Sequence, residues 1–241
     1  MVGKKEIKFI KSLKNKKFRS NNNCFVVEGK KSVNEFLISN YKLIKLYTVS
    51  KTIINFEKHQ LIDKNLLKKI SFLKNPDDYL AIFELRKQKK IRENKLIIAL
   101  DSVRDPGNLG TIIRTCEWFG VQDIICSLNT VDCYSPKVIQ AAMGSVSRVN
   151  ISYLNLKKYF ELNNRFLVGT SLNGKSIYET KQCLKKGIIV FGNESHGVCS
   201  KLEEMMNVKI KIPRYNKSTY PESLNLAISV GVVLSNLMKD N

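Results

Sequence analysis

The sequence is short of acid. Across 241 residues, 41 are lysine or arginine and only 21 are aspartate or glutamate, a formal net charge of +20. Such a chain attracts polyanions, nucleic acid most simply; a bias toward Lys, Asn and Ile along the whole sequence is the other source of the excess. Histidine is nearly missing, with only His59 and His196, and none of the six cysteines forms a C-x-x-C pair. No zinc or other metal site is therefore expected. No uncharged apolar run is long enough to span a bilayer, which excludes a membrane span. No signal peptide precedes the fold, and Cys24, Cys116, Cys126, Cys133, Cys183 and Cys199 read mostly as reduced core residues, so a cytoplasmic location is expected. Internal repeats are absent. Gly107-Asn-Leu-Gly110 lacks the G-x-G-x-x-G spacing, and no suitably placed ribose-binding acid follows, which argues against a dinucleotide oxidoreductase.

The charge is unevenly spread, +14 over residues 1–94 and +6 over residues 95–241. Lys4 to Arg19 holds eight basic residues and one acid, Glu6, with Ile7, Ile10, Leu13 and Phe18 interleaved. It reads as an amphipathic segment that lies on phosphates, or else as a merely solvated helix. Phe25 to Gly29 reads as a strand, Lys30 to Ile38 as a helix, Leu43 to Val49 as a strand, Asn65 to Leu73 as a helix and Tyr79 to Leu85 as a strand. Arg86 to Arg92 is a charged run and the best linker. The expected organisation is a small basic α/β domain with linker over residues 1–90, and an α/β domain over residues 91–241.

From Lys95 strands and helices alternate, as in a parallel sheet. Strands are expected at 96–101, 122–127, 165–170, 188–191 and 208–212. Helices are expected at 111–119, 136–143 (Ser135 as cap, Pro136 first) and 222–238, with a capping box from Ser200 to Glu203. The last helix is apolar nearly all round. It lies deep in the domain or forms a subunit contact.

Three strand ends carry unusual polar sequence: Asp105–Arg114, Gly192–Gly197 and Pro213–Asn225. In a parallel sheet such loops gather at the carboxyl edge, where ligands bind. Asn108 is read in a turn, where it offers a donor and an acceptor. Arg114, in the following helix, leans back over Gly110 toward that turn. It either serves a ligand or braces the loop by pairing with Asp105 or Asp101. Glu194 is a carboxylate amid apolar sequence, and Ser223-Leu224-Asn225 opens a helix whose free N–H groups suit an anion.

Asp105-Pro-Gly-Asn-Leu-Gly-Thr-Ile-Ile-Arg114, Phe191-Gly-Asn-Glu194 with Gly197, and Ile212-Pro213 with Ser223-Leu-Asn225 together resemble the three motifs of the SpoU/TrmH branch of SPOUT-class RNA methyltransferases. The resemblance covers residues 95–241, and Lys11 to Leu37 is similar to the small RNA-binding module often fused ahead of these enzymes. It implies an α/β fold whose carboxyl-terminal parallel-sheet domain is tied in a deep trefoil knot. It also implies a homodimer joined through that domain, with no membrane partner. The implied activity is transfer of a methyl group from S-adenosylmethionine to a ribose 2′-hydroxyl in ribosomal or transfer RNA. By the same resemblance Arg114 serves the hydroxyl, Asn108 supports the site, Glu194 organises the second loop, and Ser223 and Asn225 contact RNA or hold the knot. Thr170, Gly192, Ile212 and Leu224 offer backbone to the cofactor. Asn216 stands where relatives often carry glycine, and the stretch from Arg214 to Glu222 is longer than in many of them.

A guanidinium, with a pKa above about 12, is poorly suited to act as base. Arg114 is better suited to stabilising a forming alkoxide. The alternative is an RNA-binding protein without catalysis on the same scaffold. His196, Trp118 and Cys116 are expected to be a loop residue, a core residue and a packing residue respectively.

Overall fold

The computed structural model describes residues 2–50, 58–179, 186–216 and 223–239. In chain order the elements are α1 (Lys4–Ser12), α2 (Lys16–Asn22), β1 (Cys24–Glu28), α3 (Lys30–Leu37), β2 (Leu43–Thr48), β3 (His59–Leu61), α4 (Lys64–Ile70) and β4 (Tyr79–Glu84). Next come β5 (Ile97–Leu100), α5 (Pro106–Trp118), β6 (Asp123–Ser127), α6 (Pro136–Ala142), β7 (Asn150–Leu154) and α7 (Leu156–Leu162). The chain then runs through β8 (Leu167–Ser176), β9 (Ile188–Phe191), α8 (Ser200–Glu203), β10 (Val208–Lys211) and α9 (Leu226–Met238). It divides into two compact units. One comprises Met1–Lys87 with Asp132–Arg148, the other Gln88–Val131 with Val149–Asn241.

The first unit is a four-stranded sheet in the order β1-β4-β2-β3. Side chains alternate across it, as the strand period requires. Cys24, Val26, Tyr47, Leu80 and Ile82 pack with Ile10 of α1, with Leu13 at its C-cap, and with Leu67 and Ile70 of α4. Phe25 and Phe83 point the other way and meet Phe36 of α3, with ring centroids 5.5 and 5.3 Å from it. Tyr134, from the Asp132–Arg148 segment, lies 4.6 Å from Phe25 on that same side.

The basic run Lys4–Arg19 forms two helices rather than one. The side chain of Asn15 accepts from Lys17 N and starts the second. Arg19 does not face solvent. It is 3 % exposed, donates to the carbonyls of Leu13 and Lys14 at 2.8 Å each, and pairs with Asp132. A charge buried so deeply needs such a full set of acceptors, so Arg19 is unavailable to phosphates.

The second unit is a six-stranded sheet in the order β10-β8-β9-β5-β6-β7, with every pairing parallel. Its central strands β5 and β9 are buried throughout, which explains their uninterrupted Ile, Val, Ala, Leu and Phe sequences. The chain leaves β5 for β6 on one side, while β9 flanks β5 on the other. This is a topological switch point, and it brings the loops after β5 and β9 side by side. At the sheet's edge, β10 follows β8 as far as Lys209↔Gly169 and resumes at Ile210↔Lys175, so residues 170–174 bulge out of register.

Several expectations change. β7 and α7, unassigned from sequence, fill residues 150–162; the polar positions of Asn150-Ile-Ser-Tyr-Leu154 conceal a short strand. Cys199, not Ser200, is the N-cap of α8, and Ser200 is already helical. Ser135 occupies the N-cap of α6, but its hydroxyl makes no capping bond. α9 starts only at Leu226. It is not buried on all sides: Val230, Val233 and Leu234 are covered, while Ile228 is 55 % exposed. Its hydrophobicity all round the helix hides which face is free. No helix among the described residues is long and apolar enough to cross a membrane.

Candidate active site

The site starts where β5 ends. Asp105 is the N-cap of α5, and its Oδ1 accepts from Asn108 N at 2.7 Å, with Pro106 in the first helical position. This combination begins the helix five residues earlier than its apolar pattern predicts, despite Gly107 and Gly110. Asn108 therefore sits in the first helical turn, not in a loop ahead of it.

Its side chain joins the three polar strand ends. Asn225 is the N-cap of α9, and its Oδ1 accepts from Ala227 N at 2.9 Å and Ile228 N at 3.3 Å. With that oxygen engaged, the amide nitrogen points outward and donates to Asn108 Oδ1 at 2.9 Å. Asn108 Nδ2 then donates to Glu194 Oε1 at 3.1 Å. A carboxylate only accepts, so Glu194 fixes the direction of the whole chain of bonds. The same bonds correct the expectation of an open anion site at the start of α9, because the Asn225 side chain already takes two of the N–H groups there.

The loop after β9 is tied down with equal economy. Asn193 Nδ2 donates to Ser102 O at 2.8 Å, while its Oδ1 accepts from Ser195 N at 2.9 Å. Asn193 and Gly197 exchange both backbone hydrogen bonds, each 2.9 Å. Gly197 has φ +69°, and a Cβ on Gly192 would lie 1.9 Å from the Gly197 carbonyl carbon. Glycine at 192 is thus demanded by the chain's own return, apart from any ligand. Asp101, 6 % exposed, accepts from Cys199 N at 2.9 Å and from Ser102 Oγ at 3.0 Å. Asp101 and Asn193 were not singled out as site residues by the sequence; an acid closing an apolar strand, and an asparagine between two glycines, were the signals. Between the two loops lies a cleft of about 480 Å³, lined by Asp101, Ser102, Arg104, Asp105, Glu194 and His196 among others.

The remaining expected site residues are distributed as follows. Thr170 is the first residue past the in-register part of β8 and donates its hydroxyl to Val190 O at 3.0 Å. Ile212, half buried, immediately follows β10. Ser223 and Leu224 are exposed just ahead of the Asn225 cap. None of these four lines the 480 Å³ cleft, nor do Asn108, Arg114, Gly192 or Asn225. Residues 217–222 of the loop before Ser223 lie outside the described residues.

Arg114 is exposed and has no ion-pair or hydrogen-bond partner among the described residues. It is therefore not the brace for Asp101 or Asp105. It shares the outer stripe of α5 with Thr111 and with Trp118, which is 85 % exposed rather than in the core. Cys116 is a packing residue, fully buried, with its thiol pushed up by desolvation. His196 is an exposed loop residue, its Nδ1 3.3 Å from Asn193 Oδ1.

Comparison with known proteins agrees with this architecture. Residues 95–235 match the family model described as the SpoU rRNA Methylase family, and residues 4–81 match the MRM3-like substrate binding domain. The chain is 27 % identical to the 23S rRNA (guanosine(2553)-2′-O)-methyltransferase RlmP of Bacillus subtilis, covering 96 % of this chain and 95 % of that one. It is 31 % identical to a tRNA/rRNA methyltransferase of Mycoplasma genitalium, described as uncharacterized, over 82 % of this chain and 85 % of the other. Among solved structures, the AdoMet-bound rRNA methyltransferase from Sinorhizobium meliloti superposes with a TM-score of 0.86 at 29 % identity, covering 100 % of this chain and 97 % of that one. With its parallel sheet, the switch-point loops joined through Asn108, and a family match over more than half its length, the chain belongs to the SpoU rRNA methylase family.

Proposed function

We propose that this chain methylates the 2′-hydroxyl of a ribose in ribosomal RNA, with S-adenosylmethionine as donor. One observation carries the reading: the Asn225–Asn108–Glu194 hydrogen bonds, which join all three motif loops at one edge of the sheet. A binding module without chemistry has no need of that arrangement. The deep trefoil knot of the class is part of the same reading. The residues fit the cofactor in kind. β8 lies between β9 and β10, so Thr170, Gly192 and Ile212 bring neighbouring backbone segments to a common edge, and backbone donors and acceptors suit an adenine rim. Bound there, the cofactor supplies a methyl group already activated on a sulfonium. The chain's own residues must orient the ribose and stabilise the oxygen as its proton leaves. Arg114 supplies positive charge for that oxygen, and Asn108 and Glu194 hold the loop geometry. The test is incubation of purified protein with labelled cofactor and ribosomal RNA, followed by nucleoside mass spectrometry. A 2′-O-methyl nucleoside supports the reading. A base-methylated product, or label entering only transfer RNA, overturns it in chemistry or in substrate.

Two features extend the proposal. In the first unit, Lys4, Lys5, Lys8 and Lys11 of α1 and Lys64, Lys68 and Lys69 of α4 are exposed on the helices that cover one face of the sheet. Two acids lie among them, and both are engaged. Glu6 accepts from the Tyr47 hydroxyl, and Asp63 caps α4 through Leu66 N. This lysine layer is the docking face for RNA phosphates. Reversing Lys5, Lys8, Lys64 and Lys68 to glutamate should weaken RNA binding on the order of tenfold or more and flatten its salt dependence by roughly 0.7–0.9 per lost phosphate contact. Unchanged filter-binding curves across a salt series would discard the face.

In the second unit, Trp118 and Ile228 leave apolar surface bare on α5 and α9, which pack together. Exposed apolar area of this kind marks an interface, and a second copy of the chain is its occupant. Burial there also raises the field of the neighbouring Arg114. Light scattering should give a dimer for the native chain and a monomer for a Trp118→Glu, Ile228→Glu variant. A native monomer at micromolar concentration contradicts it.

A further inference from the structure

The cleft between the loops after β5 and β9 has an unusual electrostatic arrangement. Each of its carboxylates accepts a hydrogen bond from the protein, Asp101 in a buried position and Asp105 and Glu194 while still exposed. Asp101 holds Cys199 N and the Ser102 hydroxyl, Asp105 holds Asn108 N, and Glu194 holds Asn108 Nδ2. Its cation is not so engaged. Arg104 lines the cleft, is exposed, and has no ion-pair or hydrogen-bond partner among the described residues.

The backbone around Arg104 is fixed. Val103, fully buried, accepts from Val131 N at 2.9 Å, Asp105 caps α5, and Ser102 adopts φ 57°, a conformation that non-glycine residues seldom take. A rigid mount with a free guanidinium loses little entropy on binding an anion, and a guanidinium matches phosphate geometry in particular. A flat ring lines the same cleft. His196 receives orientation from Asn193, whose Oδ1 lies 3.3 Å from both its backbone N and its Nδ1, so that Nε2 and the ring faces remain open. A cation beside a flat ring, in a volume of about 480 Å³, suits one nucleotide unit: phosphate to the arginine, base against the imidazole. Glu194 belongs both to this cleft and to the hydrogen bonds through Asn108, so an occupant here sits next to the joined motif loops.

We infer that this cleft seats the RNA nucleotide flanking the methylated ribose, with Arg104 on its phosphodiester and His196 stacked on its base. The inference rests on the RNA methylation proposed above and assigns its substrate-reading side. The discriminating experiment uses the full chain with Arg104→Glu, Arg104→Lys, His196→Ala and His196→Phe. It measures RNA affinity across a salt series, cofactor affinity by calorimetry and single-turnover methylation. Arg104→Glu should weaken RNA binding about tenfold and reduce the salt slope by roughly 0.7, the single-strand value for one phosphate. Cofactor affinity should not change. His196→Ala should weaken RNA binding and His196→Phe restore it, since stacking needs a ring and not a titrating nitrogen. Should Arg104→Glu weaken the cofactor and spare RNA, the arginine reads the cofactor's carboxylate and the inference falls. It falls equally if neither affinity moves. A native chain that methylates no RNA removes the underlying reading instead, an outcome visible before any variant is made.

Discussion

Arg114→Ala is expected to slow single-turnover methylation by roughly 10²–10³-fold, the usual cost of removing a group that stabilises a developing oxyanion. The melting temperature and cofactor affinity should stay near native values, because the exposed guanidinium supports no other described residue. Arg114→Lys should recover little. An ammonium is a compact, strongly hydrated charge without the planar fork, so it meets an oxygen placed for guanidinium with different geometry. The pH dependence separates the two roles available to Arg114. As a base it must first lose a proton, and the rate would climb steeply with pH. As a fixed positive charge it gives no such climb. Near-native single-turnover rates for Arg114→Ala would remove it from the chemistry altogether.

How far the sequence disclosed this arrangement depended on the range of the interaction. The loops after β5 and β9 stand out because polar and glycine residues abruptly follow apolar runs, and strand ends in a parallel sheet share an edge. The start of α5 was hidden by Gly107 and Gly110, although Asp105-Pro106 carries an adequate start signal. Trp118 could have been placed outside by helical phase, since it lies four residues past Arg114 and seven past Thr111 on an outward stripe. α9 gave no phase, being apolar on every side. Long-range pairings left no local trace. Arg19 looks like one more surface cation in a basic run until Asp132, more than a hundred residues on, is found against it. The Asn225–Asn108–Glu194 bonds are of the same sort: each residue is conspicuous locally, but their donor and acceptor order is set from the two ends, by the Asn225 cap and the Glu194 carboxylate.

Gly192→Ala tests how tightly that edge is built. The added methyl would meet Gly197 C at 1.9 Å and Val198 N at 2.1 Å, both backbone atoms. Neither withdraws as a flexible side chain would. Moving them breaks the paired Asn193–Gly197 hydrogen bonds and pulls on Asn193, which ties this loop to Ser102. Overpacking against backbone belongs among the severe single substitutions, and a loss of about 3 kcal/mol or more is expected. In a chain of this size that lowers the melting temperature by roughly 10 °C. Gly197→Ala is the matched comparison. No atom lies within 4 Å of its Cβ, and only φ +69° opposes it, so it should cost about 1–2 kcal/mol. The order of the two losses is what the close return of the chain requires. If Gly197→Ala proves the more damaging, backbone conformation and not steric closure governs the loop, and the tight approach at Gly192 is relieved by movement elsewhere. If Gly192→Ala melts within two degrees or so of native, the loop is loose enough that Glu194 cannot be held rigidly against Asn108.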